Sequence, residues 1–337
     1  MNDKTLRIAL IGAGRIGRMH AQHLVHRVPL GTLAAVVDIA EDAAKNCAQP
    51  YQVPWHTQYQ AVLEDPEVHA VAICTSSTTH TEIIEAAAAA GKHIFCEKPI
   101  DLTLARIDRA LQAVKLAGVL LQVGFQRRFD PGFRRIRRAI VTGEIGEPHS
   151  VHIISRDPVP PPIDFLRLSG GLFLDMTIHD FDMAYFLLGQ PVRRVYAAGA
   201  VRVDPAIGEI DDVDTATVVL QCVDGTIVTI ENSRKATFGY DQRLEVFGSE
   251  GSIRVENVHP NTAVVLSKDG RRMDCPHHFF IERYREAYVA ELCAFTGSVL
   301  SGGVSPLSGE DARVSVEIGL AASRSLRTGL PVDLEPA

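Results

Sequence analysis

The chain has 337 residues, 46% hydrophobic and 22% charged, which is long enough for two domains with separate cores and ordinary for a globular protein. Thirty-four basic against forty-one acidic residues leave a net charge of −7, which argues against nucleic acid or an anionic membrane as partner. No apolar run reaches spanning length, MNDKTLR lacks the form of a leader, and the six scattered cysteines have neither CxxC nor zinc spacing, so a reduced, cytoplasmic protein is expected.

The first predicted strand, Leu6–Ile11, runs directly into Gly12-Ala13-Gly14-Arg15-Ile16-Gly17 and then a helical pattern to about Arg27. In this context GxGxxG is a pyrophosphate turn: glycines permit the bend and a close backbone approach, and the helix N-terminus carries partial positive charge. A second apolar run, Leu33–Val37, ends in Asp38, 21 residues after Gly17, where a carboxylate would bind adenosine ribose hydroxyls and repel a 2′-phosphate. The competing reading is a glycine-rich turn in a nucleotide-free α/β domain; strand, helix and acid together favour NAD.

Strand and helix patterns then alternate through Val68–Cys74, His80–Ala90, His93–Cys96, Thr103–Ala117 and Val119–Val123. Such alternation predicts a doubly wound parallel sheet, a Rossmann domain over residues 1–124, with ligands at the carboxyl ends of its strands. Two loops lie at such ends. Thr75 to His80 offers hydroxyls to a cofactor, or merely caps a helix through Thr78 or Thr79; Glu97-Lys98-Pro99 places a lysine where a surface turn or a functional cation is expected. The candidate cofactor contacts are thus Gly12, Gly14, Arg15, Ile16, Gly17, Asp38, Thr75, Ser76, His80, Glu97 and Lys98.

After Gly124 the pattern changes. A basic helix, Gly132–Val141, precedes alternating runs at 149–156, 192–203, 215–222, 226–233, 243–247, 252–256 and 263–267, with turn signals at Asp224-Gly225 and Gly248 to Gly251. Residues 125–337 are therefore expected to form an α+β domain with a mostly antiparallel sheet of about six strands. Two terminal helices, about Phe279–Leu300 and Ser308–Arg327, follow, the first able to lie back near the cleft. One sheet face left uncovered predicts a homo-oligomer. Arg127, Arg128, Arg134, Arg135, Arg137 and Arg138 read as a solvated helix face, with Arg127 singled out at the domain junction.

Between these runs, GGLFLDMTIHDFDMAYFLLG (170–189) reads as one buried helix ended by Gly189 and Pro191. At about 100° per residue, Asp175, His179 and Asp182 fall within roughly 60° of one another. Ionisable groups on a buried helix imply a metal, a satisfied polar network, or acid–base chemistry by His179 with Asp175. The network reading fits Asp180 and Asp182 best.

GAGRIGRMH, CTSSTTH, FCEKP, VGFQRRFDP, SRDPVPPP and GGLFLDMTIHDFDMAYFL together resemble the Gfo/Idh/MocA family of oxidoreductases, and the resemblance extends through ATFGYDQRLEVFGSEG and HHFFIERYREAYVAEL. It implies a Rossmann domain plus an open-faced α/β domain, a cis peptide before Pro99, and tetramers assembled through the sheets. The lysine of EKP and the aspartate and histidine of DxxxH map onto a catalytic set of Lys98, Asp175 and His179, with no metal. Arg127 and Asp157, then Tyr240 and Tyr284, are implied to face a polyol, and the Pro160 to Pro162 loop to affect its choice. The implied activity is NAD-dependent oxidation of a secondary hydroxyl of a cyclic polyol, myo-inositol first. Another inositol isomer, a pyranose sugar, or a non-catalytic NAD(P)-binding regulator are the alternatives.

Overall fold

A computed structural model describes residues 5–335. The described residues form two compact units, 5–126 with 286–316, and 127–285 with 317–335.

The first unit holds six parallel strands: β1 (Leu6–Ile11), β2 (Gly31–Val37), β3 (Trp55–His56), β4 (Ala70–Ile73), β5 (His93–Glu97) and β6 (Leu121–Gly124). They run in the order β3-β2-β1-β4-β5-β6, so the chain reverses its direction of sheet growth beside β1, at the switch point where such sheets bind ligands. The central strands are apolar at nearly every position because helices cover both faces, and β4 is buried along its whole length. Five of the six strands match the expected parallel sheet; the two-residue β3, not expected, is too short to leave a pattern in sequence.

Helix Arg285–Ser301 belongs to this unit, where the sequence placed everything after 124 in one second domain. Its Leu292 and Phe295 are fully buried in the core around Leu10, Leu24 and Phe95, with the Phe95 and Phe295 rings 5.9 Å apart. Each such side chain contributes about 1.5–3 kcal/mol by leaving water. Close approach follows from small residues: a Cβ on Gly31 would stand 3.2 Å from Thr296.

The second unit carries a seven-stranded sheet of β7 (Pro148–Arg156), β8 (Val192–Ala200), β9 (Thr215–Cys222), β10 (Ile227–Ser233), β11 (Asp241–Gly248), β12 (Gly251–Val255) and, from the chain end, Val332–Asp333. The order is β12-β11-β7-β10-β9-β8 and then Val332–Asp333. All pairs are antiparallel except β7 with β10. The run at 263–267 is not part of it: Val264–Ser267 pairs with Gly270–Met273 in a separate two-stranded hairpin.

Burial along these strands has period two. Val218, Leu220, Val228, Ile230, Val151 and Val246 face the core, while Tyr196, Ile227 and Phe247 on the other face remain 40–51% exposed. Helix Pro131–Val141 begins with Asp130 as its cap, accepting from the amides of Gly132 and Phe133. Asp130 also holds the buried Arg283, whose Nη1 donates to it at 2.6 Å. Among the described residues no helix is long and apolar enough to cross a membrane.

Candidate active site

Three glycines shape the turn after β1 for different reasons. Gly12 has φ +100°, and a Cβ there would lie 2.6 Å from the Cys74 carbonyl; a Cβ on Gly17 would lie 1.9 Å from the Gly12 carbonyl oxygen. Gly14 is different, because a Cβ there would meet no atom within 4 Å. The packing of the described residues does not require glycine at 14, and the open space there leaves room for a ligand at the backbone. Gly14 is also the N-cap of helix Arg15–His26 and provides no side-chain acceptor for the first helical amides, which are the donors a pyrophosphate takes. Arg15 and Ile16 open that helix.

Asp38, just past β2, accepts from Ala13 N at 2.7 Å through Oδ2 and from Ala40 N at 2.9 Å through Oδ1. It braces the glycine turn while each oxygen keeps a lone pair for a ribose hydroxyl. Open space at Gly14, uncapped amides and the braced carboxylate fit a dinucleotide.

The second loop differs from expectation at its helix start. Ser76, not Thr78 or Thr79, is the N-cap of helix Ser77–Ala89, without a side-chain capping bond. Thr79 Oγ1 lies 2.8 Å from Thr75 Oγ1 and 2.9 Å from the Ser76 carbonyl. His80, expected at the cofactor, is 1% exposed. Its Nδ1 lies 2.8 Å from the Pro99 carbonyl and its Nε2 3.1 Å from that of Thr75. It ties the two loops together from beneath. Burial lowers its pKa, although both carbonyls favour the charged ring.

Glu97 closes β5; its Oε1 lies 2.7 Å from His20 Nε2, and a Cβ on Gly124 would crowd its carboxylate at 3.2 Å. Lys98 follows, half-buried, and its peptide to Pro99 is cis.

In the second unit the stretch 170–189 is not one helix. Gly171–Asp175 and Ile178–Leu188 are separate, since the amides of Met176 and Thr177 both turn back to the Leu172 carbonyl at 3.0 Å. Thr177 Oγ1 donates to Asn232 Oδ1 at 2.7 Å, which anchors the junction to β10. Asp175 thus ends one helix and His179 starts the next, so a single helical wheel does not apply.

Asp175 and His179 are half-buried. Arg234, fully buried, donates from Nη1 to Asp175 Oδ2 at 3.1 Å. Asp180 and Asp182 are both fully buried and paired: Asp180 with Arg127 at 2.6 Å, Asp182 with Arg128 at 2.8 Å. The network reading of these two acids holds. Arg128 corrects the solvated-face reading, because it is 8% exposed, and Arg127, the exception to that reading, is 3% exposed. Arg134 and Arg138 on the following helix are exposed as expected.

Arg127, Tyr240 and Tyr284, expected to face a polyol, do come together, but inside the unit: they are 3%, 5% and 0% exposed. Arg127 donates to Ser155 Oγ at 3.1 Å as well as to Asp180, and the Tyr240 and Tyr284 rings meet edge-on at 6.0 Å. Burial works against the Arg127 charge, and Tyr284, Asp180 and Tyr240 more than restore it. Burial also raises the Tyr240 hydroxyl well above its usual range. Asp157 lies half-buried just beyond β7, its amide bonded to the Ser233 carbonyl and its carbonyl to the Ala236 amide. Arg234 and His20 were not anticipated: an arginine in NSRK or a histidine three residues past GxGxxG carries no local signal of burial.

A parallel sheet with a glycine turn, an acid after β2 and a lysine at a strand end defines an NAD-binding oxidoreductase. The model of the "Oxidoreductase family, NAD-binding Rossmann fold" matches residues 6–125, and that of the Gfo/Idh/MocA C-terminal domain matches residues 133–254; the chain belongs to the Gfo/Idh/MocA family. It is 46% identical over 331 residues to the myo-inositol 2-dehydrogenase of Thermotoga maritima, covering 98% of this chain and 99% of that one. It is 44% identical to the inositol 2-dehydrogenase of Rhizobium meliloti, covering 96% and 97%. The crystal structure of scyllo-inositol dehydrogenase from Lactobacillus casei with NAD(H) and scyllo-inositol superposes with a TM-score of 0.92 at 28% identity, covering 98% and 99%.

Proposed function

We propose that this chain oxidises one secondary hydroxyl of a cyclic polyol, myo-inositol first, to the corresponding ketone, 2-keto-myo-inositol. Bound NAD supplies the hydride acceptor. Gly12, Gly14, Arg15, Ile16, Gly17 and Asp38 would hold its pyrophosphate and adenosine ribose, with Thr75, Ser76 and Glu97 as further cofactor contacts.

The chain's residues handle the proton. His179 takes the hydroxyl proton on an imidazole nitrogen, and Lys98 donates a hydrogen bond to the reacting oxygen, stabilising the negative charge that develops there. Asp175 supports the charge that His179 gains. Asp157 serves vicinal hydroxyls, while Arg127, Tyr240 and Tyr284 back that surface from inside the second unit.

The observation that carries the reading is the Arg234–Asp175 pair beside the start of the His179 helix. A non-catalytic binder of NAD has no need of a half-buried carboxylate held by a fully buried guanidinium. Identity to inositol dehydrogenases across nearly the whole chain supports the polyol. Partly exposed Tyr196, Ile227 and Phe247 on one sheet face support a homo-oligomer, a tetramer in our reading. Free thiols and net negative charge support a cytoplasmic protein without nucleic acid or membrane partners.

The test follows NADH absorbance with NAD against myo-, scyllo- and chiro-inositol, glucose and xylose. The highest kcat/KM is expected with myo-inositol. A preference for glucose or xylose would replace the substrate, and no NADH with any polyol would favour the regulator. His179→Ala should lower kcat by about 10²–10⁴ while NAD binding persists; near-normal turnover would remove His179 as the base.

A further inference from the structure

One buried acid in the first unit has no part in the proposed reaction. Glu291, on helix Arg285–Ser301, is fully buried, and neither carboxylate oxygen has a hydrogen-bond partner among the described residues. Its backbone carbonyl accepts from Gln122 Nε2 at 2.9 Å, which fixes the helix against β6. Ligand atoms of Glu291, Glu97 and His20 all lie within 4.8 Å of one another.

The groups around it are mostly acids and thiols. Glu97 and Cys96 approach from β5, Cys74 from the end of β4, His20 from helix Arg15–His26, and Tyr288 from Glu291's own helix. Burial holds the Cys74 and Cys96 thiols neutral, well above their usual range. His20 Nε2 meets Glu97 Oε1 at 2.7 Å, whereas His20 Nδ1 is buried without a partner. Two carboxylates this close in a low-dielectric core repel each other, which favours protonation of one of them. Burial first, and the Glu97 charge second, push the Glu291 carboxyl well above the usual range.

We propose that Glu291 keeps its proton at neutral pH and is the neutral member of a buried His20–Glu97–Glu291 cluster that positions the end of β5, and with it Lys98. The positioning role rests on the proposed function of Lys98; the protonation does not.

The sign of the pH effect follows from linkage. The folded chain would bind a proton that the unfolded chain releases above the ordinary carboxylate pKa, so the contribution to stability falls as pH rises from there. Glu291→Gln mimics the protonated acid and removes this dependence.

Full-length wild type and E291Q are compared by thermal unfolding from pH 5 to pH 9. The Tm of E291Q relative to wild type should rise by about 4–8 °C across the range; a constant difference overturns the proposal. Infrared spectra at pH 7 should show a protonated carboxyl C=O band in wild type that E291Q lacks. Absence of that band in wild type overturns the proposal whether or not the variant folds. An equimolar divalent cation in purified wild type, lost in E291Q, would also overturn it, because the three groups would then be metal ligands. For positioning, kcat/KM for NAD should decline at alkaline pH in wild type and less in E291Q, whereas parallel profiles overturn that role. The infrared and thermal readouts need no substrate, so they stand apart from the proposed activity.

Discussion

Arg234 and Asp182 sit in comparable ion pairs with different expected consequences. Removing one partner of a buried pair strands the other charge and costs about 3–5 kcal/mol. Asp182→Ala, which strands the buried Arg128, should lower stability by about that amount yet leave kcat per folded molecule near wild type. Arg234→Met should lower stability and kcat together, because Asp175 loses the cation that holds it, and Arg234→Lys should restore part of both. Denaturant unfolding and active-site-normalised kinetics separate the two cases; an Arg234→Met enzyme with unchanged kcat would make the arginine purely structural.

At the scale of elements, the glycine turn separates folding from binding within three positions. Gly12→Ala puts a Cβ 2.6 Å from the Cys74 backbone at φ +100°, so it should cost at least about 1–3 kcal/mol and weaken NAD binding with it. Gly14→Ala meets nothing within 4 Å and should leave Tm unchanged while NAD affinity falls. Calorimetric Tm and NAD titration on both variants check this, and a Gly14→Ala chain that binds NAD normally would remove Gly14 from the cofactor site. The broken helix at Met176–Thr177 works in a similar local way: the anchor from Thr177 to Asn232 directs Asp175 and His179, although it is packing with β10 that forms it.

For the whole molecule, two predictions concern surface and interior. The sheet face bearing Tyr196, Ile227 and Phe247 should be covered by further copies of the chain, and a monomeric mass by light scattering would contradict this. Cys275 is the exposed thiol among six free cysteines. Burial pushes Cys222 up to about 12 and raises Cys47, Cys74, Cys96 and Cys293. Cys275 should therefore react fastest with a disulfide reagent at pH 8, and the buried Cys47, Cys96 and Cys222 only on unfolding; fast reaction of any of these three would contradict their burial.

The sequence by itself determined the parallel unit, the NAD turn and the acid after β2, because each depends on neighbours along the chain: apolar period, glycine spacing, and an acid at a strand end. It also marked Lys98, Asp175 and His179 through short motifs. The tertiary structure decided which charges are buried against which. Arg128 reads as solvated in sequence, and its partner Asp182 lies 54 residues away; Arg127 pairs with Asp180 across 53 residues, and nothing local links Arg234 to Asp175 across 59 residues. It also decided that helix Arg285–Ser301 joins the first core, bringing Glu291 to Glu97 and His20. Burial and ion pairing depend on distance in space, and one-dimensional patterning reports only the face a residue prefers, not the partner it meets.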